Sequence, residues 1–153
     1  MINYCFKSKD ELLNIAIQEI VSEEFHHYSK TSKVPQTPKV QLRELLLHIC
    51  NTTIKFQELT RASIPYLLLQ EELTLPLQLL PFLKQHFGAR RTDSECRVIA
   101  FQLVSTMQLI FYRSDDFRSF SGIDITDSKQ LADFIDFQLN IFLDDDTNKK
   151  EEL

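Results

Sequence analysis

The chain has 153 residues, of which 43% are hydrophobic and 25% charged, a length and balance typical of one globular unit and too small for two good cores. Its formal net charge of −5 excludes a protein that binds nucleic acid through a broad basic face. Only 2 glycines and 5 prolines are present, too few for the many turns of a β-sandwich or barrel, so we predict an all-α protein.

The start of the chain and its cysteines bear on where the protein resides. Residues 1–7 contain no long apolar run and no small-residue cleavage site, and no later segment reaches membrane-spanning length without polar interruptions. Cys5, Cys50 and Cys96 lie far apart without a CxxC pair, which is typical of free thiols in a reducing compartment. We therefore expect a cytoplasmic protein with no membrane partner and no disulfide.

The first predicted helix covers residues 9–28. Ser8 and Glu11 have the spacing of a capping box, in which two side chains satisfy the free amides of a helix start, and apolar residues follow at helical spacing. Residues 29–38 collect serine, threonine, lysine and two prolines, which is the composition of a linker. Pro38 suits the first turn of the next helix.

Helices are also predicted through the middle of the chain. The clearest is amphipathic, with an apolar stripe that contains Leu42, Leu45, Leu46, Ile49, Thr53 and Phe56. The segments 58–72 and 75–87 follow, and their internal prolines, Pro65 and Pro81, each start a helix or kink one. Pro76 suits a first turn, and Gly88 suits a C-terminal cap.

The last two predicted helices carry more apolar side chains than one small core absorbs. Residues 93–112 are apolar all round the helical wheel, and after a predicted loop at 113–126 Asp127 or Ser128 begins a helix with a wide apolar stripe. We predict that two copies pair through these helices, using Phe101, Val104, Met107, Phe111, Phe134, Ile135 and Phe142. The alternative is that other helices of the same chain cover them.

Residues 2–12 read Ile-Asn-Tyr-Cys-Phe-Lys-Ser-Lys-Asp-Glu-Leu. This stretch resembles the end of the DNA-binding domain of TetR/AcrR-type transcriptional regulators, where a tyrosine-rich segment runs into Phe-x-Ser-Lys-x-x-Leu. Phe6, Ser8, Lys9, Glu11 and Leu12 match that stretch of the family, whereas Cys5 replaces the aromatic residue or histidine usual there. Residues 120–124 resemble a loop that several members have between their last two helices.

The resemblance implies an orthogonal or antiparallel bundle of about six helices, a TetR-like regulatory domain with a two-helix dimerisation surface at its C-terminal end. Residues 1–8 then form a remnant of the helix-turn-helix domain, and residues 9–144 form the ligand-binding and dimerisation domain. The acidic composition of residues 145–153 predicts a disordered tail.

The resemblance also implies contacts with DNA phosphates at Tyr4 and Lys9. For Lys9, an ordinary exposed lysine is the alternative. A few residues cannot form a helix-turn-helix, so we expect specific DNA binding only in a longer form that carries the whole DNA-binding domain.

A small-molecule site is predicted between the middle helices. Helix kinks at prolines can open a cavity, and an apolar or amphipathic effector would find aromatic side chains and a few polar groups there. The predicted ligand-binding residues are His48, Thr52, Phe56, Tyr66, Gln70 and Phe82. The alternative is an ordinary core, with His48 partly exposed or hydrogen-bonded within it.

Catalysis is not predicted. The sequence has no phosphate-binding glycine loop, no GxSxG and no HExxH, and Cys50 lies in an apolar helix where packing is its expected role. We expect neither cofactor nor metal. The favoured function is the effector-sensing and dimerising domain of a TetR-like regulator, and the alternative is a helical protein-interaction module without a small-molecule ligand.

Overall fold

The computed structural model describes residues 9–31, 36–70 and 72–144, and every regular element within them is helical. The all-α prediction is confirmed, with seven α-helices in these residues rather than about six. They are α1 (Lys9–Thr31), α2 (Pro38–Lys55), α3 (Gln57–Leu69), α4 (Thr74–Phe87), α5 (Asp93–Tyr112), α6 (Ser114–Ser121) and α7 (Ser128–Leu143). A short 3₁₀ helix, Gly88–Arg90, follows α4. None of these helices is long and apolar enough to cross a bilayer.

Several predicted features fall beyond these residues. The helix-turn-helix remnant at residues 1–8, the Ser8 side of the capping box and the tail at 145–153 lie outside the described part of the chain. The predicted end of the first helix at residue 28 is wrong, because α1 continues to Thr31, and Pro38 belongs to α2. Of the predicted linker, residues 36–37 are described as non-helical, and residues 32–35 lie outside the described part of the chain.

Local hydrogen bonds and backbone angles fix the predicted helix ends. Thr37 Oγ1 accepts a hydrogen bond from the Val40 amide at 3.3 Å, and Pro38 is the first residue of α2, as predicted. Asp127 accepts a hydrogen bond from the Gln130 amide at 2.9 Å and caps α7, also as predicted. Gly88 caps α4 with φ of 55°, a conformation that favours glycine.

The internal prolines do not interrupt their helices. Pro65 lies inside α3 and Pro81 inside α4, and each helix runs through its proline. A proline within a helix removes one amide donor, so the helix must be held by packing rather than by its backbone alone.

The predicted loop at 113–126 is wrong in its first part, because residues 114–121 form α6. Asp115 and Asp116 stand in its first turn, where negative charge is favourable, and Gly122 ends it with φ of 76°. Phe117 anchors it, with its ring centroid 5.7 Å from that of Phe134 on α7. A helix of 8 residues is too short to give a periodic apolar pattern.

The core lies between α2, α4, α5 and α7. Helix α2 packs against α4 and α7, while α5 packs against α4 and α3. Large side chains that are fully buried in this core are Leu42, Leu79, Leu83, Phe87, Leu103, Leu131, Ile135 and Leu139.

Charged side chains connect α2 to α7 at the edge of the core. The Arg43 guanidinium donates two hydrogen bonds to the Asp136 carboxylate, from Nε at 2.5 Å and from Nη2 at 3.0 Å. Lys39 Nζ reaches Asn140 Oδ1 at 2.9 Å and the Asp144 carboxylate at 2.5 Å. Because these groups are partly exposed, they define the alignment of the two helices more than they add stability.

A capping box begins α5 and makes a testable contribution to stability. Glu95 N–H donates to Thr92 Oγ1 at 3.2 Å, and Thr92 N–H donates to Glu95 Oε2 at 2.7 Å, which holds the pKa of Glu95 below its usual value. Thr92→Ala removes the acceptor for the Glu95 amide, so we expect urea unfolding to show a loss of about 1 kcal/mol. Thr92→Ser keeps the hydroxyl and should lose little. Equal stability of the alanine variant and the wild type would contradict this role.

Candidate ligand-binding site

A cavity of about 90 Å³ lies where α1 to α5 meet. Its apolar lining comes from several helices and includes Leu46, Ile49, Ile64, Leu79, Val104 and Met107. Ile20 contributes from α1, so the cavity contacts the first described helix as well as the core helices.

The junction of α2 and α3 explains why a cavity opens here. Only Phe56 separates the two helices, yet α3 packs mainly on α1 and α5, whereas α2 packs mainly on α4 and α7. Because the two helices diverge from this one residue and pack against different neighbours, their own side chains cannot fill the space between them. The cavity lies in that space, and Phe56 lines it.

Threonine hydroxyls on the cavity wall hydrogen-bond to the backbone near this junction. Thr53 Oγ1 donates to the Ile49 carbonyl at 2.9 Å. Thr60 Oγ1 lies 3.1 Å from the carbonyls of both Thr53 and Phe56, next to the break between the helices. The Phe56 carbonyl also accepts the Thr60 amide at 3.0 Å, and Ile49 lies inside α2. Of these three carbonyls, only that of Thr53 lies in the last turn of α2, where helix carbonyls lose their amide donors, and the Thr60 hydroxyl supplies a donor there.

The cavity is a poor environment for charge. None of its described lining residues is charged, and burial raises the pKa of the Cys50 thiol on its wall to about 12. A thiol in that state is neutral and unreactive at pH 7, as expected for a packing residue. Among the described residues no three His, Cys, Asp or Glu side chains come together as metal ligands.

The predicted ligand-binding residues fall into two groups. Thr52 and Phe56 line the cavity, but His48, Tyr66, Gln70 and Phe82 do not. The side of α3 that faces the cavity carries Thr60, Ile64 and Leu67, at i, i+4 and i+7. Tyr66 projects off that side, Gln70 is exposed at the end of α3, and Phe82 packs against the core on α4.

The residues predicted to join two copies are placed differently from one another. Val104, Met107 and Phe111 line the cavity, and Phe134 and Ile135 are buried in the core of the single chain. The helical spacing of these five residues correctly indicated positions that are covered, but other helices of the same chain cover them. Phe101 is exposed and Phe142 is half-buried.

Other apolar residues of α5 and α7 remain exposed, and we call three of them the α5–α7 face: Val98, Phe137 and Ile141. Phe137 and Ile141 are four residues apart and so project to the same side of α7. Val98 and Ile141 line one surface groove, which places the start of α5 beside the end of α7. These residues were not among those predicted to join two copies, although the i, i+4 spacing of Phe137 and Ile141 is evident in the sequence.

Most residues that carry the resemblance to TetR/AcrR regulators lie before α1. Tyr4 is outside the described residues, and Lys9 is the exposed first residue of α1. A comparison of the chain with protein-family models, curated proteins and solved structures found no match.

Proposed function

We propose that this chain is the effector-sensing and dimerising domain of a TetR-like transcriptional regulator. A small apolar or amphipathic ligand binds in the cavity, two copies pair, and DNA is bound only by a longer form that carries the complete DNA-binding domain. The observation that carries the proposal is the contact of the cavity with α1 through Ile20. In a regulator of this kind, α1 is the helix that connects the ligand-binding domain to the DNA-binding domain.

The packing of α1 supports a movement of this helix when ligand binds. Helix α1 packs mainly against α2 and α3, while α4 and α5 pack mainly against each other and the rest of the core. A ligand touching both Ile20 and Met107 bridges these two groups of helices. Such a ligand binds most tightly at one distance between the two groups of helices. Its binding therefore shifts the population of molecules toward that distance.

The test is a distance measurement between the two α1 helices of a dimer. A spin label is placed at Glu23→Cys, an exposed position of α1, in a chain that also carries Cys5→Ser, because Cys50 and Cys96 are buried. Adding toluene as a small apolar ligand is expected to shift the distance between labels by about 1–2 Å or more.

A matched label at exposed Lys129 of α7 provides the reference, and its distance should stay constant. Movement of both labels by the same amount, or of neither while toluene is bound, would count against a sensor that acts through α1. A chain that never pairs would count against the regulator as a whole.

One observation favours the alternative, a helical protein-interaction module. Phe120 on α6 is 91% exposed and lines a surface groove with Leu109 and Phe117. A large exposed aromatic beside an apolar groove is typical of a contact with another protein. A thermal-shift screen separates the two functions, because a broad panel of apolar compounds that never raises the melting temperature favours the module.

A further inference from the structure

One threonine of the cavity differs from its neighbours. Thr52 is only 9% exposed and lines the cavity, yet the structure gives its hydroxyl no hydrogen-bond partner among the described residues. Thr53 and Thr60 line the same cavity, but both donate to backbone carbonyls. Of the three threonines that line the cavity, Thr52 is therefore the one whose hydroxyl is not already bonded to the backbone and can bond to a ligand group.

A second uncharged polar residue lines the cavity from a different helix. Gln108 on α5 lines it, is half-buried, and has a side-chain amide with no hydrogen-bond partner among the described residues. A hydroxyl and an amide both donate and accept hydrogen bonds, but neither carries charge. With the neutral Cys50 thiol and no charged lining residue, nothing described on this wall would compensate a charged ligand for lost hydration.

The volume limits how much can enter. One water needs about 10–15 Å³ of such a cavity. The cavity of about 90 Å³ therefore holds a molecule of roughly six to nine non-hydrogen atoms, such as a substituted benzene. Larger amphiphiles would have to extend into the neighbouring surface clefts.

We propose that the effector is a small uncharged molecule that carries one hydrogen-bonding group, and that Thr52 recognises that group with its hydroxyl. Gln108 supports the same group from α5, and the apolar walls hold the remainder. This selectivity rests on the sensing function proposed above and specifies its ligand class.

The test compares the affinity of the same ligand for different variants. Affinities of different ligands are hard to compare, because a ligand with a hydroxyl loses hydration of that group when it binds. Phenol, toluene and benzoate are titrated calorimetrically into the full chain at pH 7, where phenol is uncharged and benzoate is an anion. Thr52→Val keeps the shape of the side chain but removes the hydroxyl. We expect phenol to bind about 5-fold or more weakly to this variant and toluene to bind equally well or better.

Thr53→Val is the matched control, since it changes the same residue type on the same cavity wall but removes a hydroxyl already bonded to Ile49. Phenol affinity should change little in this variant. Unchanged phenol binding in Thr52→Val, an equal loss in both variants, or benzoate binding more tightly than phenol overturns the assigned selectivity and leaves the sensing function standing. If none of the three compounds binds the wild type, the cavity is not a ligand site, and the sensing function fails with it.

Discussion

Replacing Leu83 by alanine is expected to lower the free energy of unfolding by about 3–5 kcal/mol, as for other fully buried leucines. Leu83 lies on α4 with 0% of its side chain exposed, in the core between α2, α5 and α7. Alanine leaves a void that the surrounding helices fill only in part, so the lost transfer free energy and the lost packing add. A domain of this size has about 5–15 kcal/mol in total, so the variant should unfold at a clearly lower urea concentration.

Leu77 provides the matched control for this prediction. It lies on the same helix, but 47% of its side chain is exposed. Leu77→Ala removes the same atoms without opening an internal void, so we expect a loss below about 1 kcal/mol. Similar losses in both variants would mean that α4 does not bury Leu83 as described.

The helical class and most helix boundaries could be predicted because they depend on local features. Pro38 in the first turn of α2, the carboxylate of Asp127 and the positive φ of Gly88 each act on the backbone within a few residues. The capping box of Thr92 and Glu95 is equally local, although it was not among the predicted helix caps. Helix α6 was missed because its stability depends on a distant contact, that of Phe117 with Phe134.

The cavity could be predicted only in part, since it depends on which helices meet. Apolar spacing on α5 correctly marks Val104 and Met107 as positions that need cover, but it does not say whether a second copy or α3 and α4 provide it. Thr52 and Phe56 were found because they lie at the end of the clearest amphipathic helix. Ile20 and Gln108 were missed, because their place in the cavity follows from the packing of α1 and α5 against α3.

A lysine in place of Phe137 is expected to weaken the proposed homodimer by about 30-fold or more, the effect of losing a central aromatic contact of an interface. Phe137 is 59% exposed in the single chain and belongs to the α5–α7 face. Pairing would bury its ring, whereas a lysine there would have to lose its hydration or keep the two surfaces apart. Sedimentation equilibrium at micromolar concentrations measures the change, and an unaltered melting profile of the monomer shows that the fold is intact.

Phe120→Lys is the matched control, because it makes the same change at an exposed phenylalanine on α6, outside the α5–α7 face. If pairing uses the α5–α7 face, this variant dimerises like the wild type. If Phe120→Lys separates the copies and Phe137→Lys does not, the groove beside α6 is the contact surface instead. If the wild-type chain sediments as a monomer, the proposed homodimer does not form. A shift of α1 in each copy could then not change the spacing of two DNA-binding domains.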